Sequence, residues 1–324
     1  MKRLFILLAA LLATTALRAQ IDRRDSVIYT IPLFSAGDTM TYRYTQLEYR
    51  IADGDTTLTT RFVRRFTMRV AEAGRKGYRL EYTLLDTERG TADSADFKSR
   101  MLTELARRNR GAVLSLQLDR YGRIKRLTGW KELSKRFGGQ MPELVDTLCR
   151  QLPLLDSLFD RRSLQSLLQL ACSSEEGIRG TFSEIDQLFA WHARAVPFAE
   201  TVSESSPGDA AYPFPTTVTV EARAEENDDY SIRMESVQTV SEAELKALTG
   251  AVLGALASEQ QGERLADELD RQQFGPTRII DRVGNDYFHD GWPRSLCTER
   301  LARAAGRGKI IRRLIEWEGG TAGR

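Results

Sequence analysis

The side chains best suited to chemistry gather in one stretch. From Asn285 to Arg300 the chain reads "NDYFHDGWPRSLCTER", with His289 beside Asp290 and Cys297 eight residues further on. His289 is one of two histidines and Cys297 one of three cysteines. A thiol nucleophile needs a histidine within hydrogen-bond reach and a third group to orient its ring. A hydrolase or thiol enzyme centred on His289 and Cys297 is therefore one reading of the segment. The local pattern opposes it. Consecutive strand residues point to opposite faces, so Asp290 is badly placed to orient His289. Nothing around Cys297 supplies a glycine-rich elbow or a helix N-terminus that would lower a thiol pKa. Asp290, Gly291 and Pro293 each have a local reason to form a turn, and the stretch reads more simply as the corner of a β-sheet.

Other candidates are weaker. His192, in "LFAWHARAV", has no second histidine at zinc-binding spacing. Three cysteines and two histidines at no ligand spacing give no metal site. No serine lies in a G-x-S-x-G elbow. The glycines at Gly74 to Gly77 and Gly306 to Gly308 lack the lysine and serine of a phosphate loop and read as hairpin turns. The carboxylate pairs Glu225/Glu226 and Asp228/Asp229 fall in a turn between strands. The residues thus lean away from an enzyme and call for no cofactor.

The start of the chain gives an address. Lys2 and Arg3 precede an apolar run from Leu4 to Ala13, and a small-residue stretch ends at Ala19, the pattern of a cleaved signal peptide over residues 1–19. The run is too short to span a bilayer, which takes about 20 residues. A cut before Gln20 exports a chain with no cysteine to lipidate and no transmembrane segment, so the expected location is periplasmic or secreted. Its loss of three cations leaves 44 basic against 45 acidic residues, with arginine dispersed throughout. Such a balance carries no footprint for nucleic acid. In an oxidising compartment one disulfide is expected, with Cys149 and Cys172 the candidate pair and Cys297 left over.

The elements around these residues show two periods. "TRFVRRFTMRV" puts Phe62, Phe66, Met68 and Val70 on one face, and "YRLEYTLL" repeats the alternation with Tyr78, Leu80, Tyr82 and Leu84 after a glycine-bearing turn. "MTYRYTQLEYRI" is a strand whose phase change between Tyr44 and Leu47 implies a bulge or two covered faces. Leu114 to Leu118 and Ile124 to Leu127 form another hairpin around "DRYG". After Gly129 the period becomes helical: "WKELSKRF" is a short helix, "MPELVDTLCRQL" a second one opened by Pro142, and "SLQSLLQLAC" a third. A short helix over Ile185 to His192 follows. Strands return at "TTVTVEARA" and "YSIRMESV", a Ser241/Glu244 capping box opens a helix, and "KIIRRLIEW" closes the chain in strand form.

These elements give an α+β fold: a curved, largely antiparallel, half-barrel-like sheet with helices covering one face. Residues 20–324 read as one domain, β-rich over 20–129, with a helical insertion at 130–195, β at 196–240, a helix at 241–272 and β at 273–324. The aromatic inner positions Tyr42, Tyr44, Phe62, Phe66, Tyr78 and Tyr82 either line a cavity for an apolar ligand or form the inner layer of a filled core.

The order of the signal, "GDTMTYRY", "GYRLEYTLLD", "LDRYGRIKRL" and "WKEL" resembles exported envelope proteins of Bacteroidota. Those proteins in turn resemble lipoprotein-carrier domains, in which a curved antiparallel sheet wraps around helices. The aromatic inner face, the helical cover and the lack of a catalytic constellation point to a non-enzymatic binding module for an apolar small molecule or lipid, or for an envelope protein partner. A purely structural envelope component is the remaining alternative. No site residue is carried over by the resemblance.

Overall fold

The computed structural model describes residues 20–88, 97–151, 161–205, 214–247, 275–304 and 306–321. The signal-peptide reading and most of the helix expected at 241–272 lie outside them. The capping box that opens that helix is present: the Ser241 N–H donates to Glu244 Oε2 (2.9 Å), and the Glu244 N–H donates to Ser241 Oγ (3.2 Å).

Fourteen strands are described: β1 (Ile21–Asp22), β2 (Val27–Thr30), β3 (Thr39–Ala52), β4 (Asp55–Gly74), β5 (Gly77–Glu88), β6 (Val113–Asp119) and β7 (Ile124–Thr128), then β8 (Arg194–Pro197), β9 (Thr201–Ser205), β10 (Thr216–Ala224), β11 (Tyr230–Val240), β12 (Thr277–Tyr287), β13 (Pro293–Ala304) and β14 (Arg307–Thr321). Helices among the described residues include α1 (Phe97–Arg108), α2 (Trp130–Gln151), α3 (Arg161–Ala171), α4 (Glu175–Thr181) and α5 (Glu184–Phe189). Eleven strands form one open antiparallel sheet in the order β7-β6-β5-β4-β3-β14-β13-β12-β11-β10-β9, and β1-β2-β8 form a small second sheet. The large sheet is two meanders, β3 to β7 and β9 to β14. The last strand joins them by pairing with both β3 and β13.

Local sequence accounts for the hairpins. Ala52 pairs with Asp55 across Asp53 (φ 54°) and Gly54 (φ 91°), the two left-handed residues that a tight turn between twisted strands requires. Along β4 the even positions from Phe62 to Val70 face inward and are buried. Strand β3 keeps its phase further than expected. Gln46 and Glu48 follow Tyr42 and Tyr44 on the inner face, and the bulge falls at Glu48/Tyr49 rather than between Tyr44 and Leu47. A polar chain makes this possible: Tyr44 Oη donates to Gln46 (2.8 Å), Gln46 to Glu48 (2.7 Å), and Glu48 pairs with Lys309.

The helices lie over the inner face of β3 to β6. Leu105 and Ala106 of α1, Phe137, Leu144 and Leu148 of α2, and Ile185 and Leu188 of α5 join the strand residues in one core. Helix α1 interrupts the stretch 20–129 expected to be β-rich, and its Met101, Leu102, Leu105 and Ala106 keep helical spacing. Pro142 does not open a helix; it lies inside the continuous α2. A mid-helix proline removes one backbone hydrogen bond and crowds the carbonyl four residues back. Gly138 and Gly139 just before it give the backbone room to adapt.

The outer face explains the abundance of arginine. Glu88 pairs with Arg43 and Arg61, Arg65 with Asp86 and Glu318, and Glu299 with Arg282 and Arg312. Exposed pairs contribute at most about 1 kcal/mol each, but their aliphatic stems shield apolar neighbours. Val63, placed between Arg61 and Arg65, is fully buried.

Residues 20–38 strap the halves together. The Gln20 side chain donates to the Ile31 carbonyl, Tyr78 Oη donates to the Pro32 carbonyl (2.8 Å), and the Leu33 N–H donates to the Asp290 carbonyl (2.9 Å).

Candidate functional site

The six aromatic residues separate into a stack and an outlier. Tyr42 stacks on Phe66 (5.5 Å between centroids) and Phe66 on Tyr82 (4.8 Å), while Tyr44 meets Phe62 edge-on (6.3 Å). Phe182, just past α4, closes over Tyr82 at 5.4 Å. Tyr42, Tyr44, Phe62, Phe66 and Tyr82 are at most 1% exposed. Their hydroxyls are committed internally: Tyr42 donates to the Pro293 carbonyl (2.9 Å) and Tyr82 to Glu184 (2.7 Å). Burial pushes these phenols above their ordinary pKa. Tyr78, half-buried, instead packs on Phe34. Among the described residues this face is packed as a core against the chain's own helices.

Beneath those helices lies a buried charged pair. Arg64, two residues from both Phe62 and Phe66, points inward, donates twice to the Thr181 carbonyl (3.0 Å) and pairs with Glu184 at the start of α5. Both side chains are buried, and the guanidinium sits among the rings of Tyr44, Phe62 and Phe182. Burial raises the Glu184 carboxyl pKa, and Arg64 pulls it back down. The signal was position 64 itself, which shares the parity of the aromatic residues.

The 285–300 segment is a corner. The Asp290 carboxylate accepts the Trp292 N–H (3.1 Å), the Gly291 N–H donates to the Phe288 carbonyl, and Gly291 takes φ 86°. A side chain at Gly291 would collide with the Ile31 carbonyl. Trp292 is fully buried and stacks on Phe34 at 4.0 Å. His289 is largely exposed, with its backbone N–H on Asp229 (2.9 Å) and its ring 3.8 Å from the same carboxylate. Cys297 on β13 pairs with Gly284 on β12, five residues before His289, so roughly 15 Å of chain separates the two. Burial raises the Cys297 thiol pKa, the opposite of what an activated nucleophile needs. The corner does not assemble a thiol–histidine pair.

His192 lies three residues beyond α5 rather than within a helix, and the corner needs it. Its Nε2 donates to the Gly291 carbonyl (3.1 Å), and its ring packs on Phe189 and Tyr287. Burial lowers its pKa to about 4, so the ring is neutral at physiological pH. Cys149 and Cys172 are buried thiols of the helical block; no disulfide joins them. Each is packed as a small apolar side chain, and a hydrogen bond with Thr181 also holds the Cys172 thiol.

The outer face of β10 to β13 is less filled. In the rung Glu221–Arg233–Gly284–Cys297, the last two residues are short and leave a dip between rows of long side chains. A groove of about 330 Å³ results, with Gly284 and Cys297 on its floor and Glu221, Arg233, Glu235 and Arg282 around it. Arg233 is held in place by the Asn285 carbonyl (3.0 Å) and Asp286 (2.6 Å). Among the described residues no group of His, Cys, Asp and Glu could hold a metal, and no helix is long and apolar enough to cross a membrane.

No protein-family model matches the chain, and no curated protein does. Among solved structures it is similar to a lipovitellin, described for its lipid–protein interactions, with 9% identity and a TM-score of 0.37. The match covers 90% of this chain and 26% of that one, so the chain spans about a quarter of lipovitellin's length. Likeness at this level assigns neither fold nor function.

Proposed function

We propose that the chain is an exported, non-catalytic binding protein of the bacterial envelope, periplasmic or secreted, which takes a protein partner on the outer face of β10 to β13. One observation carries this reading. The aromatic face is filled by the protein's own helices, while the groove over Gly284 and Cys297 stays open. Its rim carries both signs of charge around a small floor. A charged rim over an apolar lining that includes Met234 and Val283 suits a polypeptide, with its mixed side chains and backbone donors.

Cys297 provides the test, because Cys149 and Cys172 are buried. A maleimide photo-crosslinker attached to Cys297 should yield one protein adduct of defined mass from an envelope fraction. Excess unlabelled protein should suppress it, and charge reversal at Glu221 and Glu235 should weaken it. Native mass spectrometry of the same preparation decides against the apolar-ligand alternative or for it. A lipid-mass adduct would move the assignment to a small apolar ligand. A bare monomer together with unsaturable crosslinking would sink the binding reading. The mass of the exported chain, which should begin at Gln20, checks the address.

A further inference from the structure

A second cleft, away from the β10–β13 groove, gathers positive charge. It measures about 400 Å³ and is bounded by the β6–β7 turn, α4, α5 and the start of β8. Arg123, Arg179 and Arg194 line it from three different elements, against one carboxylate, Asp186. Ile124 and Phe189 supply apolar walls.

The three arginines are not equally engaged. Arg179 pairs with Asp186 at 2.5 Å. The Arg123 guanidinium reaches the Ala193 carbonyl at 3.4 Å, and that of Arg194 lies over the Trp191 ring at 5.2 Å. Among the described residues neither forms a salt bridge. A guanidinium stacked on an aromatic face keeps its in-plane N–H donors for an anion.

The cleft is also held in shape. The Asp119 carboxylate accepts the N–H groups of Tyr121 (2.8 Å) and Arg123 (3.0 Å), which fixes the β6–β7 turn. Gly122, at φ 88°, presses that turn against the His192 ring so closely that an added Cβ would lie 2.6 Å from it. His192 in turn is anchored to the Gly291 carbonyl. Arg123 and Arg194 are therefore presented from a rigid base, and little ordering is needed when an anion arrives.

We infer that this cleft binds a phosphate-bearing ligand through Arg123, Arg179 and Arg194. A lone carboxylate is satisfied by a single forked guanidinium. Three guanidiniums from separate elements offer more donors, in more directions, than that, and match the several acceptor oxygens of a tetrahedral phosphate. The volume exceeds that of the anion alone and lies in the range of about 300–1,000 Å³ usual for small-molecule sites. An organic group therefore accompanies the phosphate, either as a soluble phosphomonoester or as a phospholipid headgroup.

Two arms distinguish those sources, both on the full exported chain. The first titrates glycerol 3-phosphate by calorimetry at low salt, with sulfate as competitor and acetate as control. The second measures co-sedimentation with phosphatidylcholine vesicles, with and without phosphatidylglycerol. Saturable binding is expected in at least one arm. Arg123→Gln and Arg194→Gln should each weaken it about tenfold, the scale of one charge-assisted hydrogen bond, with an unchanged circular-dichroism spectrum. Glycerol 3-phosphate binding identifies the soluble source; binding to phosphatidylglycerol vesicles alone identifies the headgroup. Absence of saturable binding in both arms, or binding that both variants retain, overturns the inference.

Discussion

Acidification should unfasten the corner of this protein through His192. The ring is 3% exposed, lies among Phe34, Phe189 and Tyr287, and gives its Nε2 proton to the Gly291 carbonyl. Burial dominates and lowers its pKa to about 4; the hydrogen bond to Gly291 acts in the opposite direction. An unfolded histidine titrates near 6.5. Between those values the unfolded chain binds the proton more readily than the folded one. The stability His192 contributes is therefore fully present above about pH 6.5 and is lost as pH falls through about 4. At about 1.36 kcal/mol per pH unit the interval corresponds to roughly 3 kcal/mol. Urea denaturation from pH 8 down to about pH 4, on the wild type and on His192→Gln, isolates the effect. Glutamine can still donate to the Gly291 carbonyl but does not titrate, and all other groups are common to both proteins. The wild type should be the more stable at neutral pH, and its advantage should shrink by about 3 kcal/mol across the acid range. Parallel profiles would refute the assignment of a neutral, anchored His192.

Further outcomes follow from other contacts. Arg64→Met leaves the Glu184 carboxylate buried beside Tyr82. It should cost about 3–5 kcal/mol by urea denaturation, most of which Arg64→Met combined with Glu184→Gln restores. The loss should be smaller in acid, because Arg64 no longer opposes the upward push of burial on Glu184 and the carboxyl protonates more readily. Gly122→Ala combines a left-handed backbone with a clash on His192; a loss of about 1–3 kcal/mol is expected in the same assay. A thiol reagent should titrate one cysteine in the native protein and all three in denaturant. Cys297 should react more slowly than a free thiol near neutral pH, because burial raises its pKa. Three reactive thiols in the unfolded, unreduced protein also check that Cys149 and Cys172 carry no disulfide.

Much of the sheet was legible because its signals are local. Phe62, Phe66 and Met68 alternate within one strand, Asp53 and Gly54 make their own turn, and Asp290 and Gly291 make theirs. The less legible features all depended on partners elsewhere. Arg64 shares the parity of Phe62 and Phe66, but only α5 brings Glu184 to it. Pro142 read as a helix start because its neighbours, not its own ring, let α2 continue. The aromatic face left cavity and core both open as readings, and Phe182 and the helices close over Tyr82. The open groove had no signature at all. It arises where Gly284 and Cys297, on different strands, fall into one rung.

The sequence by itself determined the antiparallel α+β character, the alternation of strands such as β4 and β5, and the corner at Asp290 and Gly291. These are set by alternation and turn chemistry within a few residues. Only the tertiary structure decided the strand order, with β14 between β3 and β13, and with it which polar groups meet in the interior. Arg64 finds Glu184 120 residues away, and His192 finds Gly291 99 residues away. A buried polar group must be paired by whichever residue the fold delivers, and chain-distant delivery depends on how whole faces pack, which no local pattern encodes.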